Sequence, residues 1–335
     1  MAKVDIFSGF LGAGKTTLIK KLIAEAYEDE KIVLIENEFG EIGVDSGFLK
    51  ETGVQINEMN SGCICCTLVG DFGRALNEVI DTYDPDRILI EPSGVGKLSD
   101  VIIAVQDLKN DRIQLNGFTT VVDAKKARVY MTNFGEFYQN QVEHASSIIL
   151  SHTDGLSQQK LDKCIELLRK YNDHAAIVTT PWDQIDGKAI LETMEQKKTL
   201  SAELDKLREE AYAHEAEHHH HHHDHEHEHH HHDHDHDHHG HHHADEIFDE
   251  FGVYTAHKFT AEQIEQALAA LGNFGEYGQV LRAKGIVEGE DGQWIHFDYV
   301  PGEPEVRMGT AETTGLICVI GVGLEKDAIE ELFEL

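Results

Sequence analysis

From Ala2 to about Thr180 the chain alternates short apolar runs with longer amphipathic stretches. Strands are predicted over "KVDIF" (3–7), "KIVLIE" (31–36), "VQIN" (54–57), "RILIE" (87–91), "FTTVVD" (118–123), "SIILS" (147–151) and "AAIVTT" (175–180). Several of these runs are apolar at successive positions, the pattern of strands covered on both faces. Helical patterns fall between most of them, for example over 16–27, 71–83 and 157–171. The alternation predicts an α/β fold: a doubly wound, mostly parallel sheet. After about 247 the order changes. "VYTAHKF" (253–259), "QVLRAKGIVE", "QWIHFDYV" and "GLICVIGVG" read as strands, with "EDG" as a hairpin turn. "TAEQIEQALAAL" reads as a helix with Thr260 and Gln263 in capping-box positions, and "EKDAIEELF" as a last helix. This is the pattern of a small α+β domain with helices on one face of an antiparallel sheet. The division expected is therefore 1–213, a linker over 214–246, and 247–335.

The linker stands out by composition. Nineteen of the 25 histidines lie between His218 and His243, interleaved with Asp and Glu, a segment that cannot bury a core and is expected to be disordered. The formal net charge of −34 argues against nucleic acid and anionic membranes as partners. No run approaches the roughly 18 apolar residues of a membrane span. The first residues lack a secretory apolar core, so a cytoplasmic location is expected.

"GFLGAGKT" fits GxxxxGK(S/T) with Gly9, Gly14, Lys15 and Thr16, between a predicted strand and a predicted helix. Backbone N–H groups around Gly12, Ala13, Gly14, Lys15, Thr16 and Thr17 are expected to face phosphates, backed by the helix N-terminus. Lys15 would reach the β- and γ-phosphates, and the Thr16 hydroxyl would ligate Mg²⁺. Glu91, closing "RILIE", is the expected second acidic group of the Mg²⁺ shell, and Gly94 would let a backbone N–H approach the γ-phosphate. "ILSHTDG" stands where many P-loop GTPases carry N/T-K-x-D. Asp154 would accept from guanine, and His152, in place of the usual Lys, would stack on the base. GTP is the nucleotide expected.

"NSGCICCTLV" places Cys63, Cys65 and Cys66, three of the chain's five cysteines, within four positions. A reducing compartment argues against a disulfide, and the Asn, Ser and Gly flanks are loop chemistry rather than core. A metal site, a redox thiol and simple packing compete, and the loop setting favours metal. Thiolates suit Zn²⁺, Cu⁺ or iron–sulfur chemistry, with Co²⁺ and Ni²⁺ also open. Three thiolates leave a fourth position to a carboxylate, a histidine, water or another protein, with Glu38 and Glu41 as candidates. Because ligands of a parallel sheet gather beyond the carboxyl ends of its strands, this loop, the phosphate loop and Glu91 should share one edge. Cys164 and Cys318 lie alone in apolar surroundings and read as core.

Together these residues resemble the CobW family of P-loop GTPases, within the wider class that includes metal-insertion GTPases for cobalt, nickel and zinc enzymes. The likeness rests on "FSGFLGAGKTT", "IENEFGEIGVD", "SGCICC", "EPSG" with "TVVDA", "SHTD", the histidine-rich linker and "RAKGIV…WIHFDYVPGE". It implies GTP-dependent delivery of a transition metal, zinc first and cobalt or nickel next, to a client metalloprotein. It also implies Cys63, Cys65 and Cys66 as the metal motif, Mg²⁺ and GTP at 12–17, Glu91 in the Walker B role, and a C-terminal domain that faces the client or regulates the GTPase. The competing reading is a metal-buffering protein whose business end is the histidine tract.

Overall fold

The computed structural model describes residues 1–28, 30–36, 55–58, 69–195, 247–310 and 314–335. Cys63, Cys65, Cys66, Glu38, Glu41 and the 214–246 linker lie outside the described residues.

Seven described strands form one all-parallel sheet: β1 (Ala2–Ser8), β2 (Ile32–Glu36), β3 (Gln55–Glu58), β4 (Arg87–Glu91), β5 (Ile113–Asp123), β6 (Ser147–Ser151) and β7 (Ala176–Val178), in the order β3-β2-β4-β1-β5-β6-β7. The helices are α1 (Lys15–Glu25), α2 (Val69–Tyr83), α3 (Leu98–Asp107), α4 (Ala127–Asn133), α5 (Gly135–Glu143), α6 (Gln158–Arg169) and α7 (Gly187–Met194). The apolar runs are continuous because each face of the sheet meets its own layer. On β4, Ile88 and Ile90 join the cluster that holds Val101, Ile102 and Leu168, whereas Leu89 faces the other way, with Leu18 and Leu22 of α1 and Ile190 of α7. β5 begins five residues earlier than its apolar pattern predicts. Asn116 and Gly117 continue the ladder where β1 and β5 shift register between Val4 and Asp5.

A second sheet of β8 (Asp249–Thr255), β10 (Gln279–Gly289), β11 (Trp294–Val300), β12 (Glu303–Gly309) and β13 (Gly315–Val322) has the order β12-β11-β10-β13-β8, all antiparallel. The predicted single strand over 253–259 is two: β8 ends at Thr255, and β9 (Lys258–Phe259) pairs parallel with β10. β12 escaped the pattern because "EPEVRMG" is polar and carries Pro304, acceptable on a sheet edge. The remaining helices are α8 (Ala261–Ala270), α9 (Phe274–Tyr277) and α10 (Lys326–Leu332). α8 has the expected capping box, Thr260 accepting from Gln263 N–H while the Gln263 side chain accepts from Thr260 N–H. Cys164 and Cys318 are both buried, and burial pushes the Cys164 thiol up to about 11, the behaviour of inert core sulfur.

Strand alternation sorts the second sheet into two faces. Ala283, Val287, Phe297 and Val319 pack with Ile264, Leu268 and Phe333 from its helices. The other face turns to the first sheet, where Leu316, Cys318 and Ile320 join the cluster that contains Phe10. Phe10 is the pivot of this junction: it stacks on Phe134 at 5.2 Å and lies 6.4 Å from Phe248, which enters from the C-terminal domain. The residue after the first glycine of the phosphate loop is thus clamped by both domains. No helix among the described residues is long and apolar enough to cross a membrane.

Candidate nucleotide and metal site

β1 ends at Ser8 and the chain turns through Gly9–Gly14 into α1. Gly14, the N-cap, has φ +98, so its N–H groups can follow a tight left-handed turn that a side chain would strain. No side chain caps α1, which leaves the N–H groups of its first turn directed at whatever anion sits above them. Lys15 is buried and folds back so that Nζ donates to Gly9 O at 3.0 Å, 3.9 Å from Glu91 Oε1. Thr16 Oγ1 donates to both oxygens of Glu91 at 3.3 Å. A hydroxyl and a carboxylate converging from α1 and the end of β4 are hard oxygen donors of the kind Mg²⁺ takes, with water and phosphate completing its shell. Gly94 lies where a Cβ would come within 3.0 Å of Leu11 N, and Gln141 Nε2 holds its turn by donating to Gly94 O and Gly96 O at 3.0 and 2.8 Å.

Across the sheet edge, His152 Nδ1 lies 3.2 Å from Asp123 Oδ2. The bond to Asp123 holds the His152 imidazole above its ordinary value in spite of partial burial. Burial works to raise the Asp123 carboxyl, but His152 and the N–H of Lys125 outweigh it and hold the group low. Glu303 of β12 brings a donor atom within 4.8 Å of both, a spacing that one small cation could span, although Lys126 already pairs with Glu303 at 2.9 Å. Asp154 is exposed on the turn beyond His152. His152, Gly12, Lys15, Thr16, Thr17 and Glu91 line one cleft of about 590 Å³, within the usual size of a ligand pocket.

The opposite wall of that cleft comes from the C-terminal domain, a contribution the sequence pattern does not announce. A Cβ on Gly12, whose φ is +70, would stand 2.3 Å from Val300 Cγ1 at the end of β11. Trp182, beyond β7, was also not anticipated: its Nε1 donates to Leu150 O at 2.9 Å and its ring lies beside Gly14. Gly12→Ala should therefore cost about 1–3 kcal/mol through left-handed strain and the collision. Thermal melting should show the loss, and adding Val300→Ala should restore part of it.

β2 ends at Glu36 and β3 at Glu58, in register with each other and with Glu91. These strand ends lie at the edge that carries the phosphate loop and Glu91.

A parallel sheet with a glycine loop, a buried lysine and a Thr–Glu pair at one edge defines a P-loop nucleotide-binding protein. The sequence matches the CobW/HypB/UreG nucleotide-binding domain over residues 3–179 and the cobalamin synthesis protein cobW C-terminal domain over 248–335, and the chain belongs to the CobW/HypB/UreG family. It is 34% identical over 190 residues to the zinc chaperone YjiA of Escherichia coli, covering 55% of this chain and 58% of that protein. It is 34% identical over 179 residues to the zinc chaperone CobW of Sinorhizobium sp, covering 44% and 50%. With the zinc-regulated GTPase metalloprotein activator 1 of Schizosaccharomyces pombe it shares 29% identity over 193 residues, covering 55% and 46%. The chain spans about half the length of the curated relatives it matches.

Proposed function

We propose that this protein is a cytoplasmic GTP-dependent zinc metallochaperone: a GTPase that takes up Zn²⁺ as cargo through Cys63, Cys65 and Cys66 and hands it to a client metalloprotein. The observation that carries the reading is the Lys15–Glu91–Thr16 constellation at the sheet edge from which the strands leading to those cysteines emerge. The names of the relatives support zinc over Co²⁺ and Ni²⁺, which the same donors would accept.

Phosphoryl transfer from GTP to water needs positioning and charge neutralisation more than covalent chemistry. The uncapped N–H groups of α1 and Lys15 Nζ bind the β- and γ-phosphates and hold the charge that grows there. Thr16 and Glu91 would hold Mg²⁺, which would supply charge neutralisation to the phosphates. His152 lies against the base, with Asp154 reading guanine. Since β2, β3 and β4 end in register, ordering of the 37–45 segment by the γ-phosphate reaches the thiolate loop, with Glu38 or Glu41 supplying the fourth ligand. Hydrolysis releases that order and loosens the metal. Coupling is reciprocal, so zinc tightens GTP binding by the factor that GTP tightens zinc.

The buffering alternative is separated by deleting 218–243. The deletion should remove many weak metal sites while keeping one tight cysteine-dependent site and GTP hydrolysis, read by zinc titration and phosphate release. A deletion variant that holds no tight zinc would instead make the histidine tract the functional part.

A further inference from the structure

The face that the second sheet turns to the first domain changes character along its width. β13 presents Leu316, Cys318 and Ile320 to the shared core. Toward β12 the same face carries Arg282 and Lys284 of β10, Asp298 of β11, and Glu305 and Arg307 of β12, as the register requires: Lys284 opposite Asp298, Asp298 opposite Glu305, and His296 opposite Arg307. Arg282, Asp298, Glu305 and Arg307 all line the cleft over the phosphate loop.

Basic residues are scarce in this chain, 28 against 62 acidic, yet Lys15, Lys20, Arg282 and Arg307 converge on this one cleft. Arg282 bonds Asp298 at 3.1 Å and Arg307 bonds Glu305 at 3.0 Å. Both carboxylates stand on the same sheet as their arginines, so these pairs hold guanidinium groups at the cleft and do not strap one domain to the other. Three cations act on Asp298: burial works to raise its carboxyl, but Arg282, Lys284 and Arg307 together hold it low.

We propose that the nucleotide site is composite, and that Arg282 and Arg307 form a second, cationic wall against the polyphosphate of the nucleotide that Lys15 and α1 hold from the other side. Guanidinium groups suit this task because their planar donors take two phosphate oxygens at once. A nucleotide held this way spans the two domains, and the C-terminal domain then reads directly whether phosphate is present. The inference rests on the nucleotide reading above, and goes beyond it in assigning binding residues to the second domain.

The test is titration of a fluorescent GTP analogue with Mg²⁺ into the full chain and its Arg307→Ala, Arg307→Lys and Arg282→Ala variants, with Lys15→Ala as the control. Each arginine-to-alanine change should weaken binding about tenfold, the worth of one charge-assisted contact, and Arg307→Lys should recover part of the loss. The salt dependence of binding should also flatten in the alanine variants. Arg307 is partly exposed, more so than Arg282, and a thermal melt of each variant separates lost binding from lost folding, so Arg307 decides the matter even if Arg282→Ala melts early. Alanine variants that bind within about twofold of the natural chain, while Lys15→Ala fails, would overturn the composite site alone. A natural chain that binds no GTP analogue at all would overturn the nucleotide reading as well.

Discussion

Lys15→Ala should lower affinity for GTP analogues by at least about a hundredfold and take hydrolysis with it, while leaving the melting temperature nearly unchanged. The side chain is 5% exposed, and its amine is positioned by Gly9 O rather than by solvent. A preorganised ammonium in a desolvated phosphate site contributes about 3 kcal/mol or more to binding the triphosphate and its transition state. That is a factor of about a hundred or more in the binding constant. The loop itself is shaped by Gly9, Gly12 and Gly14, all at positive φ, and by Phe10 in the shared core, none of which depends on the lysine. Calorimetric titration with GTPγS and Mg²⁺ reads the affinity, and a thermal melt confirms that folding survives. Retained tight binding would remove Lys15 from the role assigned to it.

The largest effect on stability is expected far from the nucleotide, at Arg87. This guanidinium is fully buried at the amino end of β4, bonded to Asp5 of β1 and Glu30, with Glu195 at 2.9 Å and the Tyr27 ring beneath it at 4.6 Å. Asn116 bonds both Asp5 and Glu195, and Lys3 also bonds Glu195, so one network joins β1, β4, β5 and the end of α7. Burial already raises the Asp5 carboxyl, with Arg87 opposing that rise. Arg87→Met would leave this carboxylate buried without its cation, a change that costs about 3–5 kcal/mol. For a chain of this size the melting temperature should fall on the order of 10 °C. In the variant Asp5 would have a folded-state pKa raised above its unfolded value. The penalty is then present above the folded pKa and relieved as pH falls through it, so the deficit against the natural chain should narrow in acid. Adding Asp5→Asn should recover a good part of the loss at neutral pH. Denaturant unfolding of the three chains at two pH values checks all of this.

The strands that could be read in the sequence were those whose surroundings are uniform. "RILIE" and "SIILS" are apolar throughout because both faces of the sheet are covered, and the phosphate loop declared itself by lying between such a strand and a helix. β12 could not be read this way, since an edge strand with one exposed face and a proline carries no apolar period. Arg87 shows a further limit. Its partners at 5, 30 and 195 gather only once distant segments are folded, and no local spacing records that. The cleft's second wall was hidden in the same way, because Val300 and Arg307 acquire meaning only from how the second sheet lies over Gly12. Lys15, Thr16, Glu91 and His152 line one cleft. Asp154 stays on an exposed turn.

Nucleotide-gated metal holding is decided by titrating Zn²⁺ and Co²⁺ in competition into protein lacking 218–243, with Mg²⁺ and either GTPγS or GDP present. Cobalt–thiolate absorbance reports the site, and Cys65→Ser, Cys66→Ser is the control. The expected result is thiolate-dependent binding that is at least about tenfold tighter with GTPγS than with GDP, the lower range of coupling between two linked sites. Equal metal affinity in the two nucleotide states would contradict it, and would leave the cysteines as a metal site independent of the GTPase.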